Sequence, residues 1–172
     1  MLGAVRSGMV FVYPTDTVYG LGCDARNPKA VARLRRIKNK KGPLSVIAPS
    51  KAWIAESCVL TREAKAFIEK KLPGPFTVVL PLKRKKAVAK NICGKTLGVR
   101  IPKHWVAGVV RTAGTPVVTT SANVSGGKTM RKMEDLDVRI RKEADLIFFD
   151  GPCNGKPSQI VDFSGARPRR LR

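Results

Sequence analysis

Three short polar runs carry the residue types that could do chemistry: PTDT at 14–17, TTSANVSGG at 119–127 and KPSQ at 156–159. Hydroxyls and loop N–H groups hold phosphate and carboxylate oxygens, and glycines let the backbone approach a ligand closely. Lys38, Lys40 and Arg100 add positive charge. Such an inventory anchors several anionic groups without a protein base. It suits reactions governed by positioning and electrostatic stabilisation, such as phosphoryl or nucleotidyl transfer. Each run also has a structural explanation: Thr and Ser cap helices, Asn123 stabilises a turn, and Gly126-Gly127 forms a plain loop.

Other chemistries find less support. The single histidine, His104, sits at an expected helix start with no assignable Ser and Asp partners for a triad. Cys23, Cys58, Cys93 and Cys153 lie far apart, without the close spacing that offers two thiolates to zinc, and read as reduced thiols. The acids are few and scattered, so no residue set for a metal is expected. No G-x-x-x-x-G-K-[ST] is present, which excludes an ordinary P-loop.

The elements that must position these runs follow from periodicity. Strand-like segments at 9–13, 44–48, 76–82, 97–101, 116–120, 146–149 and 159–163 alternate with helical patterns, which predicts an α/β fold. One helix should begin with Asn27 as N-cap and Pro28 at the first helical position, burying Ala30, Val31, Leu34 and Ile37. A second should begin at Thr61 and stop before Pro73. Further helices are expected at 103–113, ended by Gly114, and at 134–143, with three acids in the first turn. In an open α/β sheet a ligand crevice lies outside the carboxyl ends of strands, where the runs after Tyr13 and Val118 would converge.

At 172 residues and 43% hydrophobic, with no low-complexity linker, residues 1–172 read as one domain. Lys and Arg total 34 against 12 Asp and Glu, a formal net charge of +22. That exceeds what solubility requires and predicts polyanionic partners. With neither a membrane-spanning apolar run nor a secretory leader after Met1, a soluble, cytoplasmic protein without membrane partners is expected.

Taken in order, YPTDTVYGLG (13–22), IKNKKGPLSV (37–46), LPGPFTVVL (72–80), TLGVRIP (96–102), TSANVSG (120–126), PSQIVD (157–162) and the final LR resemble the YrdC-like family, the threonylcarbamoyl-AMP synthases. The resemblance spans nearly the whole chain and points to the short, single-domain branch. It implies a twisted mixed sheet flanked by helices around a large, positively lined cavity. The implied activity condenses L-threonine, bicarbonate and ATP to threonylcarbamoyl-AMP and pyrophosphate, with Mg2+ accompanying ATP. Implied partners are tRNA or double-stranded RNA and the downstream proteins that transfer the threonylcarbamoyl group to tRNA.

Carried over position by position, the resemblance gives Thr15, Thr17, Tyr19, Arg100, Thr119 and Ser158 to the threonine pocket. Arg100 would pair with the amino acid carboxylate. Lys38, Lys40, Thr96, Ser121, Asn123 and Arg172 fall on the ATP side, and Lys38, Lys40 and Arg100 are the expected catalytic cations. Gly20 and Gly22 would let the chain turn away from the pocket. Lys40 stands where an arginine is usual, Ile47 where some relatives have histidine, and Gln159 where a hydroxyl is usual. Those departures motivate two alternatives: an RNA-binding protein with weak or no synthase activity, or an adenylating enzyme for another amino acid.

Overall fold

The computed structural model describes all of residues 1–172. Its strands are β1 (Phe11–Tyr13), β2 (Gly20–Gly22), β3 (Ser45–Ile47), β4 (Phe76–Pro81), β5 (Thr96–Arg100), β6 (Val117–Ser121), β7 (Leu146–Ile147), β8 (Gln159–Asp162) and β9 (Arg169–Arg170). They form one nine-stranded sheet in the order β7-β1-β2-β6-β3-β5-β4-β8-β9. β1 with β7, β3 with β5 and β4 with β8 run parallel, and the other neighbours are antiparallel. The helices are α1 (Leu2–Arg6), α2 (Pro28–Lys38), α3 (Lys51–Ser57), α4 (Arg62–Lys71), α5 (Trp105–Ala113) and α6 (Val138–Glu143). This is the mixed, helix-flanked α/β sheet expected from the sequence.

Local chemistry sets the helix boundaries. Asn27 Oδ1 accepts from the N–H groups of Lys29 and Ala30, and Pro28 follows at the first helical position. Thr61 Oγ1 accepts from Ala64 N–H at the start of α4, and Gly114 closes α5 with φ 62°. Asn39 ends α2 in the left-handed region, φ 51° and ψ 50°, which turns the chain sharply between Lys38 and Lys40.

Register decides what the sheet buries. Ser45 lies beside Gly98 in β5 and Thr119 in β6, and laterally paired residues point to the same face. Val46, Val99 and Val118 point the other way, into the main core formed with Leu34 and Ile37 of α2, Ile68 of α4 and Ile140 of α6. The second face is closed over part of its area, where Phe11, Tyr13, Ile47 and Val117 pack against Ala4 and Val5 of α1 and Val106 and Val110 of α5. Its remainder carries small polar residues and is open.

Several expectations are corrected. Gly20–Gly22 is not a turn but a strand, paired with both β1 and β6. Its glycines are required by the Tyr13 ring: a Cβ at Gly20 would sit 2.7 Å from Tyr13 Cζ, and one at Gly22 2.5 Å from Val118 O and 2.7 Å from Tyr13 Cε1. The helix expected at 134–143 is broken into a 3-10 turn at Met133–Asp135 and α6, because the acids act as caps. Asp135 accepts from Arg131 and Lys132 N–H, and Asp137 from Arg139 N–H. α3 follows Ser50, whose Oγ accepts from Trp53 N–H, and was not legible from its short periodicity. The basic terminus, legible in the sequence only as a tail or a terminal strand, supplies β9.

Gly22→Ala is expected to cost about 2 kcal/mol in urea denaturation, since backbone and ring must both move. Gly108→Ala, in α5 with open space around its Cα, should instead leave stability unchanged or raise it by about 0.5–1 kcal/mol.

Candidate functional site

The open part of the second sheet face is the floor of a cavity of about 390 Å³. Ser45, Gly98 and Thr119 form a row across it, flanked by Thr77 and Ser121. A Cβ at Gly98 would collide with the Ser45 side chain, so the glycine leaves room for the Ser45 hydroxyl. The expected crevice beyond strand carboxyl ends is therefore replaced by a basin lying across the strands. Lys38, Lys40, Arg100 and Arg172 line it, and no Asp or Glu does. Its size suits a small molecule.

One wall is the turn between β1 and β2. Thr15 Oγ1 donates to Val18 O at 2.7 Å and accepts from Thr17 N–H at 3.1 Å. Its single proton is thereby used, so the 2.9 Å contact between the two hydroxyls must run from Thr17 to Thr15. Thr17 Oγ1 in turn accepts from Arg100 Nη1 at 3.1 Å. Arg100 Nη2 meets Asp16 Oδ1 at 2.5 Å, and Asp16 Oδ2 accepts from Lys103 N–H at 2.9 Å. Arg100 is 5% exposed, and its Nε is buried without a protein partner. Burial pulls its pKa below the ordinary arginine value, opposed by the neighbouring Asp16 carboxylate. Arg100 lines the cavity with its guanidinium held in place by Thr17 and Asp16, a fixed positive charge towards which an anionic oxygen is drawn.

The opposite wall is held by Lys38. Its Nζ donates to Ser121 O and Asn123 O, both at 2.7 Å, and lies 3.2 Å from Asn123 Oδ1. Burial, reinforced by the like charge of Lys40, lowers its pKa to about 8. Ser121 Oγ donates to Asn123 Oδ1 at 2.5 Å, and Asn123 Nδ2 donates to Val124 O and Gly127 O, both at 2.8 Å. The S-x-N segment is thus a closed network. Lys38, expected to face phosphates, instead pins the loop beside the cavity. Lys40 is half-buried, lines the same cavity and makes no ion pair, which leaves its ammonium for a ligand.

Tyr19 also differs from expectation. Its hydroxyl donates to Gly151 O at 2.6 Å and accepts from Asp150 N–H at 3.0 Å, while its ring stacks on Phe149 at 5.6 Å. Burial raises its pKa. Tyr19 thus ties the segment after β7 to the cavity wall. That segment passes tightly over the PTDT turn, where a Cβ on Gly155 would overlap Thr17 backbone and Cys153 Sγ lies 3.0 Å from Thr17 O. On the last side, the Ser158 and Thr77 hydroxyls are 2.9 Å apart, and Arg172 Nε donates to Ser158 O at 3.0 Å.

The cavity therefore gathers Thr15, Thr17, Tyr19, Lys38, Lys40, Arg100, Thr119, Ser121, Asn123, Ser158 and Arg172. Thr96 is not among its lining residues; it starts β5 beside Pro81 and lies on an outer groove. Ile47 is buried under α1 and α5 and does not line the cavity, although it sits beside Arg100 in the sheet. Gln159 opens onto a separate depression beside Asp16. Sequence reasoning missed Asp16, Ser45 and Thr77. Asp16 stood inside the quoted PTDT run, and a polar residue within a short apolar strand was the available signal for the other two.

Known proteins match this chain over nearly its whole length. The Sua5/YciO/YrdC family model, described as "Telomere recombination", matches residues 3–172. A Methanocaldococcus jannaschii protein that carries the name threonylcarbamoyl-AMP synthase is 32% identical over 160 residues, 91% of this chain and 75% of its own. P. abyssi Sua5 complexed with L-threonine superposes with TM-score 0.90 at 28% identity, covering 99% of this chain and 52% of its own. E. coli YciO superposes with TM-score 0.88 at 28% identity, covering 99% and 85%. The chain spans about half the length of the P. abyssi protein.

Lys38→Met keeps the stem but leaves the carbonyls of Ser121 and Asn123 without their donor. It should lower stability by about 2 kcal/mol in urea denaturation and speed amide hydrogen exchange around 121–127.

Proposed function

The chain belongs to the Sua5/YciO/YrdC family, and on that premise we propose that it is an L-threonylcarbamoyladenylate synthase, a nucleotidyltransferase serving the threonylcarbamoyladenosine modification of tRNA. The observation that carries the proposal is a basin lined by four cations and no Asp or Glu, with Arg100 beside a hydroxyl wall. An amino acid carboxylate fits at that arginine, with Thr15, Thr17, Thr119 and Ser158 around the substrate. Tyr19 acts by holding the segment that packs against the Thr15–Thr17 turn. ATP lies towards Lys40, Ser121 and Arg172. Lys38 and Asn123 serve the nucleotide by fixing the loop that carries Ser121, and Thr96 can meet only a part of the nucleotide that leaves the basin.

In this reading the threonine amine adds to bicarbonate with loss of water, giving a carbamate anion. A carbamate oxygen then attacks the α-phosphorus of ATP, and the bond to the β-phosphate oxygen breaks with its electrons leaving on pyrophosphate. The nucleophile is already anionic, so the absence of Asp and Glu from the lining is compatible with the step. The protein's residues do not fit a resident divalent ion: no group of three His, Cys, Asp or Glu side chains comes together. Mg2+ enters with the ATP phosphates, as part of the substrate. No helix is long and apolar enough to cross a membrane, and we place the reaction in the cytoplasm.

A second reading, RNA binding alongside or instead of synthesis, draws on the net charge of +22. tRNA or double-stranded RNA, and the proteins that transfer the threonylcarbamoyl group, would be the partners. The alternative of a different amino acid loses its main motive, because Ile47 is outside the cavity.

Purified protein with L-threonine, bicarbonate and MgATP should yield threonylcarbamoyl-AMP and pyrophosphate. Salt-sensitive RNA binding without threonine-dependent pyrophosphate release would overturn the synthase reading. Arg100→Lys retains charge but loses the planar fork, and should raise the threonine KM about tenfold or more with little change for ATP. Ser121→Ala should do the reverse. Equal effects of both variants on both substrates would refute this division of the basin.

A further inference from the structure

Beyond the basin, a second groove of about 680 Å³ runs outward from Lys40 and Pro43, the residues common to both. Its walls are two loops. One carries Lys40, Lys41 and Gly42, and the other Lys90, Asn91, Cys93, Gly94 and Lys95. Neither segment contains an acid: the chain has no Asp or Glu between Asp24 and Glu56, nor between Glu69 and Glu134. None of the four lysines forms an ion pair, although ten pairs form elsewhere on the molecule.

The two loops are fixed relative to each other by a single guanidinium. Arg35 Nη1 donates to Lys40 O at 2.9 Å and Gly42 O at 2.8 Å, while its Nε donates to Asn91 O at 2.8 Å and its Nη2 to Ile92 O at 3.1 Å. The carbonyls are thereby drawn to Arg35, and the N–H groups of Lys41, Gly42, Cys93 and Gly94 have no acceptor in the protein. Preset donors, four unpaired ammonium groups and no anion make a site for closely spaced phosphates.

We propose that this groove binds inorganic pyrophosphate and receives it as the leaving group passes Lys40. The inference rests on the synthase reading, because adenylate formation is what releases pyrophosphate at the basin. Lys40 lies at the junction, so the leaving group need not lose one ammonium before meeting the next. The groove meets the basin at Lys40 and Pro43, where a leaving group would emerge, and this continuity favours pyrophosphate over a nucleic acid backbone.

Isothermal titration of pyrophosphate into the free protein, wild type against K90Q/K95Q, tests it, with an RNA hairpin titrated in parallel. Lys41→Gln on the opposite wall is an independent variant, and thermal melting checks that each is folded. Pyrophosphate affinity should fall about tenfold in K90Q/K95Q. Inhibition of threonylcarbamoyl-AMP synthesis by pyrophosphate should weaken by a similar factor. Unchanged pyrophosphate affinity in both variants overturns the groove, since the basin alone then holds the ion. Unchanged pyrophosphate affinity with lost RNA binding overturns it in favour of a polynucleotide surface. If no threonylcarbamoyl-AMP forms but the variants still lose pyrophosphate affinity, the synthase reading fails and the phosphate groove stands.

Discussion

Alternation along three adjacent strands governs the molecule. β3, β5 and β6 send Val46, Val99 and Val118 into one core and Ser45, Gly98 and Thr119 to the other face. A helix laid over that polar row would strand hydroxyls against apolar side chains, at a cost of about 1–3 kcal/mol for each unpaired group. The second face is consequently covered only where Ile47 and Val117 restore an apolar surface for α1 and α5. The basin is what the uncovered part becomes, and every element around it contributes a rim rather than a lid.

The polar residues of that rim are largely engaged with one another. Thr15, Thr17, Arg100 and Asp16 form one continuous chain of hydrogen bonds, and Lys38, Ser121 and Asn123 form a second. Such closed networks fix positions before a ligand arrives, which lowers the ordering cost of binding. They also separate two roles that look alike in a sequence. Lys38 and Lys40 are two residues apart, yet the first is buried among carbonyls and the second has no protein partner, because Asn39 reverses the chain between them.

The fold was legible where capping and periodicity act locally, as at Asn27, Thr61 and Gly114. It was not legible at Gly20–Gly22, where two glycines offer no strand propensity and the structure depends on pairing with β1 and β6 and on room for the Tyr13 ring. Of the candidate site, the polar runs and the cations were visible as residue types. Their assignment to ligand or to protein was not, because Tyr19 and Lys38 find their partners at positions 150–151 and 121–123, contacts that no local pattern encodes. Asp16 was hidden for the same reason: its importance lies in Arg100, far along the chain.

The uneven placement of acids has a consequence for the protein as a folded object. Long stretches with cations alone repel themselves, and folding brings them closer together than they are in the extended chain. The native state is therefore under internal electrostatic pressure, which counterions relieve. Any multivalent anion that settles on these surfaces acts as a mechanical brace as well as a ligand, and by linkage it shifts the folding equilibrium towards the native state. In dilute salt the molecule is at its loosest. In a cell rich in phosphates and nucleic acid, part of its rigidity is borrowed from the solution around it.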